Sequence, residues 1–352
     1  MSVFEHSEFD AHEHVAFYSD PVTGLKAIIA IHNTNLGPSL GGCRMWPYLN
    51  SSEALTDVLR LSKGMTYKAA MANLQQGGGK AVIIGDPRKD KSEAFMQSMG
   101  RFVESLSGQY ITAEDSGITV DDLKAVATQT SHVAGTSAQY NALGETPTGN
   151  PAPSTAYGVF VGLKQTVKHV LGRDLQGVKV AIQGMGHVGY RLAKQLHAEG
   201  AELYVADIFP EGLARARQEL GATVVAPEEI LTLPVDVLAP CAMGSSINDE
   251  SVPDIRAKII AGAANNQLAR EELGTVLHKK GICYAPDYVI NAGGIIDIYH
   301  QKQADSSDQA MREHLAKIGD TLIEVYQRAE AENAPTNLVA NRIAEERFAK
   351  RG

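Results

Sequence analysis

Apolar positions along the chain recur with two periods, about two residues in some stretches and about 3.6 in others, which predicts strands and helices in succession. In the leading part, residues 25–32 read as a strand, 51–74 as a long helix capped by Ser51 or Ser52, and 81–84 as a second strand. Residues 91–106 then read as helix, 110–113 as strand and 120–128 as helix. The stretch NALGETPTGNPAP at 141–153 is too rich in Gly, Pro and Asn for a helix or a central strand, so it separates two patterned halves. Strands are expected beyond it at 178–182, 203–206, 223–225, 235–239, 258–261 and 282–284, alternating with helical segments. Such alternation specifies a parallel, doubly wound α/β sheet. A long charged helix at 308–331, a break at Pro335 and a terminal helix at 339–350 close the chain.

At 352 residues the chain exceeds the ~250–300 residues over which single cores usually grow. The expected division is an N-terminal α/β domain, residues 1–148, and a second domain, residues 149–330, with the C-terminal helix at 331–352 packing back. A net charge of −9 and the lack of Lys/Arg clusters argue against a nucleic-acid partner. The opening MSVFEHSEFDAHEH has no basic start followed by an apolar stretch, and no run approaches the ~18 apolar residues of a membrane span. A cytoplasmic protein without a membrane partner is expected. Cys43, Cys241 and Cys283 are odd in number and have no CxxC spacing, which suits reduced thiols. His12, Glu13 and His14 are read as a solvated segment, and no metal is expected.

Residues 184–189 read GMGHVG. In such a loop Gly184 turns the chain, Gly186 lets backbone N–H groups approach a pyrophosphate, and Gly189 brings the next helix close to the sheet, with Met185, His187 and Val188 between them. The flanks are right: an apolar run at 178–183 precedes the loop, and Leu192, Ala193 and Leu196 follow at helical spacing. About 20 residues on, the next strand ends at Asp207, where the adenosine ribose hydroxyls need an acceptor. A carboxylate there repels a 2′-phosphate, and Ile208 and Phe209 supply no offsetting cation, so NAD is the expected cofactor.

Chemistry of another kind stands in the first half. Met65 and Lys68 are three apart on one helical face, and Lys80 follows the triplet Gly77, Gly78 and Gly79. One lysine can hold a carboxylate, while adjacent cations disfavour each other's charge and suit the other to general-base duty. Ala113 and Asp115 lie on one side of the strand at 110–113, so Asp115 presents a carboxylate at its end.

The stretches LGPSLGGCRMWPY (36–48), LRLSKGMTYKAAMANLQQGGGKAVIIGDP (59–87), TAEDSG (112–117), GNPAPSTAYGV (149–159) and APDYVINAGG (285–294) occur in this order. Together they resemble the glutamate, leucine, phenylalanine and valine dehydrogenases, an amino acid dehydrogenase family, with the leucine branch nearest. The resemblance implies an N-terminal α/β substrate-binding and oligomerisation domain and a Rossmann-type NAD-binding domain, with the active site in the cleft between them. It implies reversible oxidative deamination of an L-amino acid to a 2-oxo acid, ammonium and NADH by a homo-oligomer. Lys68, with the backbone of Gly41 and Gly42, would bind the substrate carboxylate; Lys80 would activate water; Asp115 would relay protons at the substrate nitrogen. Thr155, Asn265 and Asn266 would lie around the nicotinamide and its ribose, Ala242 would also bind the cofactor, and Asn291 would lie near the substrate. Leu40, Met65, Ala113, Ile295 and Ile298 would line the side-chain pocket. All five are apolar, which disfavours glutamate and suits a branched aliphatic side chain, with valine or phenylalanine as alternatives to leucine. Three positions depart from the family's usual pattern: isoleucine at the last two pocket positions, Ile295 and Ile298, and Cys43 beside the paired glycines.

Overall fold

Short runs of alternating and continuous apolar residues assemble into two sheets in a computed structural model that describes residues 3–136, 141–145, 150–242, 244–303 and 306–349. The first sheet contains β1 (His14–Asp20), β2 (Leu25–Asn33), β3 (Ser39–Trp46), β4 (Gly77–Ile84) and β5 (Tyr110–Glu114), in the order β1-β2-β4-β3-β5. β1 and β2 form an antiparallel hairpin and β2 runs antiparallel to β4, whereas β3 is parallel to both β4 and β5. Neither β1 nor β3 was legible as a strand: β1 is a half-exposed edge, and β3 carries paired glycines with no alternation to read. β4 begins at Gly77, four residues earlier than expected, so Lys80 stands inside a strand.

Strand alternation gives this sheet two packed faces. On one, Ile28, Ala30 and Val82 meet Ala54, Val58 and Leu59 of α1 (Ser51–Met71). On the other, Ala27, Ile29, Ile31, Cys43, Met45, Ala81 and Ile83 pack with α2 (Glu93–Glu104) and α3 (Val120–Ala127). The cap of α1 is Asn50, whose side chain accepts from the Glu53 N–H, rather than Ser51 or Ser52.

The second sheet is wholly parallel: β6 (Lys179–Gln183), β7 (Glu202–Ala206), β8 (Thr223–Val224), β9 (Val237–Pro240), β10 (Ile259–Ile260) and β11 (Cys283–Tyr284), ordered β11-β10-β9-β6-β7-β8. In strand sequence this is the doubly wound 3-2-1-4-5-6 arrangement, which reverses direction between β6 and β9. Its helices are α4 (Ala152–Leu171), α5 (His187–Ala198), α6 (Pro210–Leu220), α7 (Leu273–Lys279), α8 (Asp287–Ile290), α9 (Gly293–Gln301) and α10 (Asp308–Glu332). α4 starts inside the stretch expected to be irregular, because Pro153 falls in the first turn, where its missing N–H costs nothing. The chain divides into two compact units, Met1–Gln139 with Ala344–Gly352, and Tyr140–Ile343. The expected boundary at 148/149 lies outside the described residues. In the first unit the end of α11 (Thr336–Phe348) docks on α1: Tyr67 Oη donates to Glu345, and Arg347 donates to the Ala70 and Met71 carbonyls. No helix among the described residues is long and apolar enough to cross a membrane.

The expectation of a solvated N-terminal segment is overturned at His12, which is only 7% exposed. Its Nδ1 accepts the Asp10 N–H, so the neutral ring carries its proton on Nε2 and donates to the Leu59 carbonyl. His32, equally buried, bonds Thr66 Oγ1 through Nδ1 and lies edge-on to His12. Burial, then the neighbouring His12, pushes the His32 pKa down to about 4. An unfolded histidine titrates near 6.5. The unfolded chain therefore binds the extra proton first as pH falls, and stability present above about 6.5 is lost towards 4. Urea denaturation from pH 7 to 4.5 should reveal a loss of up to roughly 3 kcal/mol in the wild type and a flatter curve in His32→Gln; identical slopes would contradict it.

Candidate active site

In the first unit, strand pairing aligns Leu40 with Ile111 and Gly42 with Ala113, while Leu40 also faces Gly78 of β4. Lys80 stands on β4 and is 6% exposed; Asp115 follows the end of β5, and its Oδ2 forms an ion pair with Lys80 Nζ. Both glycines of β3 are required by close approach. A Cβ on Gly41 would fall 1.7 Å from the Gly79 carbonyl oxygen, and one on Gly42 would fall 2.7 Å from Asp115 Cβ and 3.2 Å from Lys80 Nζ. The lysine–carboxylate pair thus lies over a bare stretch of backbone. Tyr110, fully buried, donates its hydroxyl to the Gly41 carbonyl at 2.7 Å and fixes that stretch from beneath.

Burial opposes charge on Asp115, but Lys80 and Arg44 together outweigh it and hold its pKa down to about 2. The Ser116 N–H donates to Oδ1 at 2.7 Å. Asp115 is therefore a carboxylate at neutral pH, positioned by the turn that follows β5 rather than capping α3, whose cap is Thr119. Met65 and Lys68 are half-buried on α1, either side of Thr66, and Thr66 touches β4 so closely that a Cβ on Gly78 would lie 2.0 Å from its N. Leu40 and Ala113 are buried. Arg44 was not singled out from the sequence; its signal is the two-residue period, which sets it on the same sheet face as Gly42.

In the second unit the remaining residues gather beyond the C-terminal ends of β6, β7, β9, β10 and β11, where open α/β sheets bind ligands. Gly184 adopts φ +99°, and a Cβ there would meet the Ala242 N at 2.7 Å. A Cβ on Gly189 would strike the Gly184 carbonyl at 2.0 Å, whereas Gly186 faces open space and α5 begins there without a side-chain cap. Unpaired N–H groups at an open helix start suit a phosphate. His187 is exposed, Val188 half-buried and Met185 buried; the Met185 N–H donates to Asp207 Oδ2 at 2.5 Å. Asn291 donates to Asn265 Oδ1 at 2.8 Å and towards the Ala263 and Ala264 carbonyls, and Asn266 adopts φ +51°. Thr155 Oγ1 lies against Gly294 at the start of α9, which carries the buried Ile295 and the half-buried Ile298. Among the described residues no cluster of His, Cys, Asp and Glu could hold a metal ion.

A doubly wound sheet with this loop, in one chain with an α/β unit presenting a lysine–carboxylate pair over paired glycines, is the combination expected of a pyridine-nucleotide dehydrogenase. Residues 11–132 match the model for the Glu/Leu/Phe/Val dehydrogenase dimerisation domain, and 150–208 and 210–351 match that for Glutamate/Leucine/Phenylalanine/Valine dehydrogenase. The chain therefore belongs to the Glu/Leu/Phe/Val amino acid dehydrogenase family, oxidoreductases that act on CH–NH2 donors. It is 49% identical to a leucine dehydrogenase of Geobacillus stearothermophilus and 48% identical to one of Bacillus cereus, each alignment covering 99% of this chain and 94% of the relative. An L-tryptophan dehydrogenase of Nostoc punctiforme is 45% identical over 99% of this chain and 96% of its own. A crystal structure of that organism's L-tryptophan dehydrogenase matches with a TM-score of 0.85, 44% identity and 96% coverage of both chains. A hetero-hexameric glutamate dehydrogenase from Thermus thermophilus shares the fold at 23% identity, with a TM-score of 0.74 and coverage of 96% of this chain and 88% of that one.

Gly42→Ala tests whether bare backbone is needed beneath the ion pair. The added methyl meets Asp115 at its Cβ, which cannot swing away as a side-chain tip can, so the pair must be displaced. Amino acid-dependent reduction of the pyridine nucleotide should fall at least ~100-fold in kcat/KM, in line with the sensitivity of catalysis to ~1 Å misplacements. Thermal unfolding of the variant reports its fold, and undiminished activity in a folded variant would contradict the geometry.

Proposed function

We propose that this protein catalyses the reversible, NAD-dependent oxidative deamination of a branched-chain L-amino acid, with leucine preferred and valine and isoleucine accepted. The observation that carries this reading is the Lys80–Asp115 ion pair over Gly41 and Gly42, with apolar Leu40 and Ala113 beside it. The reaction needs a proton taken from water and another delivered to the departing nitrogen. Two groups in direct contact can exchange that proton between them. In this reading Lys80 takes the proton from the attacking water, Asp115 serves the substrate nitrogen, and Lys68 holds the substrate carboxylate together with the backbone of Gly41 and Gly42. Asn291 is assigned to the substrate, and Leu40, Met65, Ala113, Ile295 and Ile298 are each assigned to its side chain.

NAD, when bound, supplies the hydride acceptor. The residues present fit it: Gly186 leaves its backbone accessible at the uncapped start of α5, and Asp207 is half-exposed beyond β7. Met185, His187 and Val188 complete that loop; Thr155, Asn265 and Asn266 would hold the nicotinamide end, and Ala242 would also bind the cofactor. The preference for NAD over NADP rests on Asp207 being followed by exposed Ile208 and Phe209 rather than by a cation. A homo-oligomer is proposed on two supports: the description of the matched dimerisation domain, and the exposed Phe17 and Val22 on and beside the edge strand β1. Three unpaired cysteines suit a cytoplasmic setting.

A panel of L-leucine, L-valine, L-isoleucine, L-phenylalanine, L-tryptophan and L-glutamate with NAD and with NADP tests the reading. The aliphatic substrates with NAD should give the highest kcat/KM, and glutamate essentially none, because nothing in the proposed pocket pairs a buried carboxylate. Tryptophan or phenylalanine ahead of leucine would replace the substrate assignment, and equal efficiency with NADP would refute the cofactor assignment. Lys80→Met should lower kcat by about 10²–10⁴-fold with the fold intact.

A further inference from the structure

Asp115 has a second cationic neighbour. Arg44 Nε lies 3.4 Å from Asp115 Oδ2, the same oxygen that pairs with Lys80 Nζ, and Nε is itself buried with no closer hydrogen-bond partner. Arg44 is itself held from behind: its Nη1 donates to Asp57 Oδ2 at 3.0 Å. The same oxygen of Asp57 accepts from Tyr48 Oη at 2.7 Å, and its other oxygen accepts from Arg60 Nη2 at 3.2 Å. Asp57 on α1, Arg44 on β3, Asp115 beyond β5 and Lys80 on β4 follow one another in contact, so the charges alternate in sign along the chain of ion pairs. An arginine fork fixed at one end by a carboxylate is an oriented donor; a free one is not.

We propose that Arg44, clamped by Asp57, is a positioning residue for the reaction, aiming the Asp115 carboxylate and keeping a cation beside it while Lys80 gives and takes its proton. This inference rests on the reading that Lys80 and Asp115 carry the proton transfers. With Lys80 alone as partner, each loss of its proton would leave Asp115 buried and uncompensated. Arg44 remains charged throughout. The other groups around the site do not fill that role. Glu114 on β5 is an anion whose pKa is raised by burial and then by Asp115 itself. Cys43, on the opposite sheet face, is a thiol pushed up to about 12 by burial and then by Asp115. Tyr48 is held protonated by burial and by its bond to Asp57. From α1 come Asp57, already bound to Arg44, and further along Lys68.

The test compares Arg44→Gln, Arg44→Lys, Asp57→Asn and Lys80→Met with the wild type, using L-leucine and NAD over pH and following kcat, KM and thermal unfolding. Loss of the cation raises the proton affinity of the site, so Arg44→Gln should move the acid limb of kcat/KM upward by about one pH unit and lower kcat at least tenfold. Arg44→Lys should return the limb to its wild-type position. Asp57→Asn should leave the limb in place and lower kcat about tenfold with KM within about twofold, because charge is kept and aim is lost. A merely structural Arg44 would lower the unfolding temperature without moving the limb. An unmoved limb in folded Arg44→Gln, or an unchanged kcat in Asp57→Asn, overturns the inference, and the second holds even if Arg44→Gln does not fold. Wild-type turnover that survives Lys80→Met would instead sink the reading beneath it.

Discussion

Burying a charge is costly unless a counter-charge is buried with it, and that constraint shapes the first unit. Lys80 is almost fully enclosed on a central strand, so the chain must bring a carboxylate to it and leave no side chain in the way. Gly42 provides the gap and Asp115 the carboxylate; Gly41 lets β3 lie against β4 closely enough for the two to meet. Neighbouring features follow from holding this arrangement still. Tyr110 bonds the Gly41 carbonyl, Ser116 bonds the Asp115 carboxylate, and Gly78 admits α1 at Thr66. The buried His12 and His32 in turn bond α1 at Leu59 and Thr66. The site is thus specified by backbone spacing as much as by its charged groups.

In the proposed reading the second unit meets a different requirement, that of receiving an anion through its backbone. Its loop does so by geometry: Gly184 turns left-handed against Ala242, Gly189 packs on the Gly184 carbonyl, and Gly186 is left open at the start of α5. Backbone N–H groups and the helix dipole then supply the positive end. Asp207 reinforces the loop by accepting the Met185 N–H, which couples the proposed ribose-binding position to the proposed phosphate-binding one.

Much of this was legible before any coordinates, because periodicity and glycine spacing encode it locally. The doubly wound sheet reads from the alternating strand candidates at 178–284, and the glycine loop and Asp207 read from residues 178–207, where strand, loop and helix are contiguous. Strand β3 was not legible, since a continuous buried run with two glycines has neither period. Long-range partners were also hidden. Asp57 and Arg44 are 13 residues apart on different elements, and nothing in the chain announces their hydrogen bond. His12 looked like part of a polar tail because its neighbours are charged; only the approach of Leu59 and Ser62 across the fold buries it. Local chemistry is written in sequence, whereas burial is decided by what arrives from elsewhere.

A double-mutant cycle on kcat/KM, comparing wild type, Lys80→Met, Asp115→Asn and the combined variant, tests most directly whether the buried ion pair acts as one chemical unit. Groups that share a proton lose their joint contribution once, so the double variant should be no more than a few-fold worse than the worse single variant. Losses that multiply, with each substitution costing the same factor in either background, would mean that Lys80 and Asp115 act independently and would contradict the account.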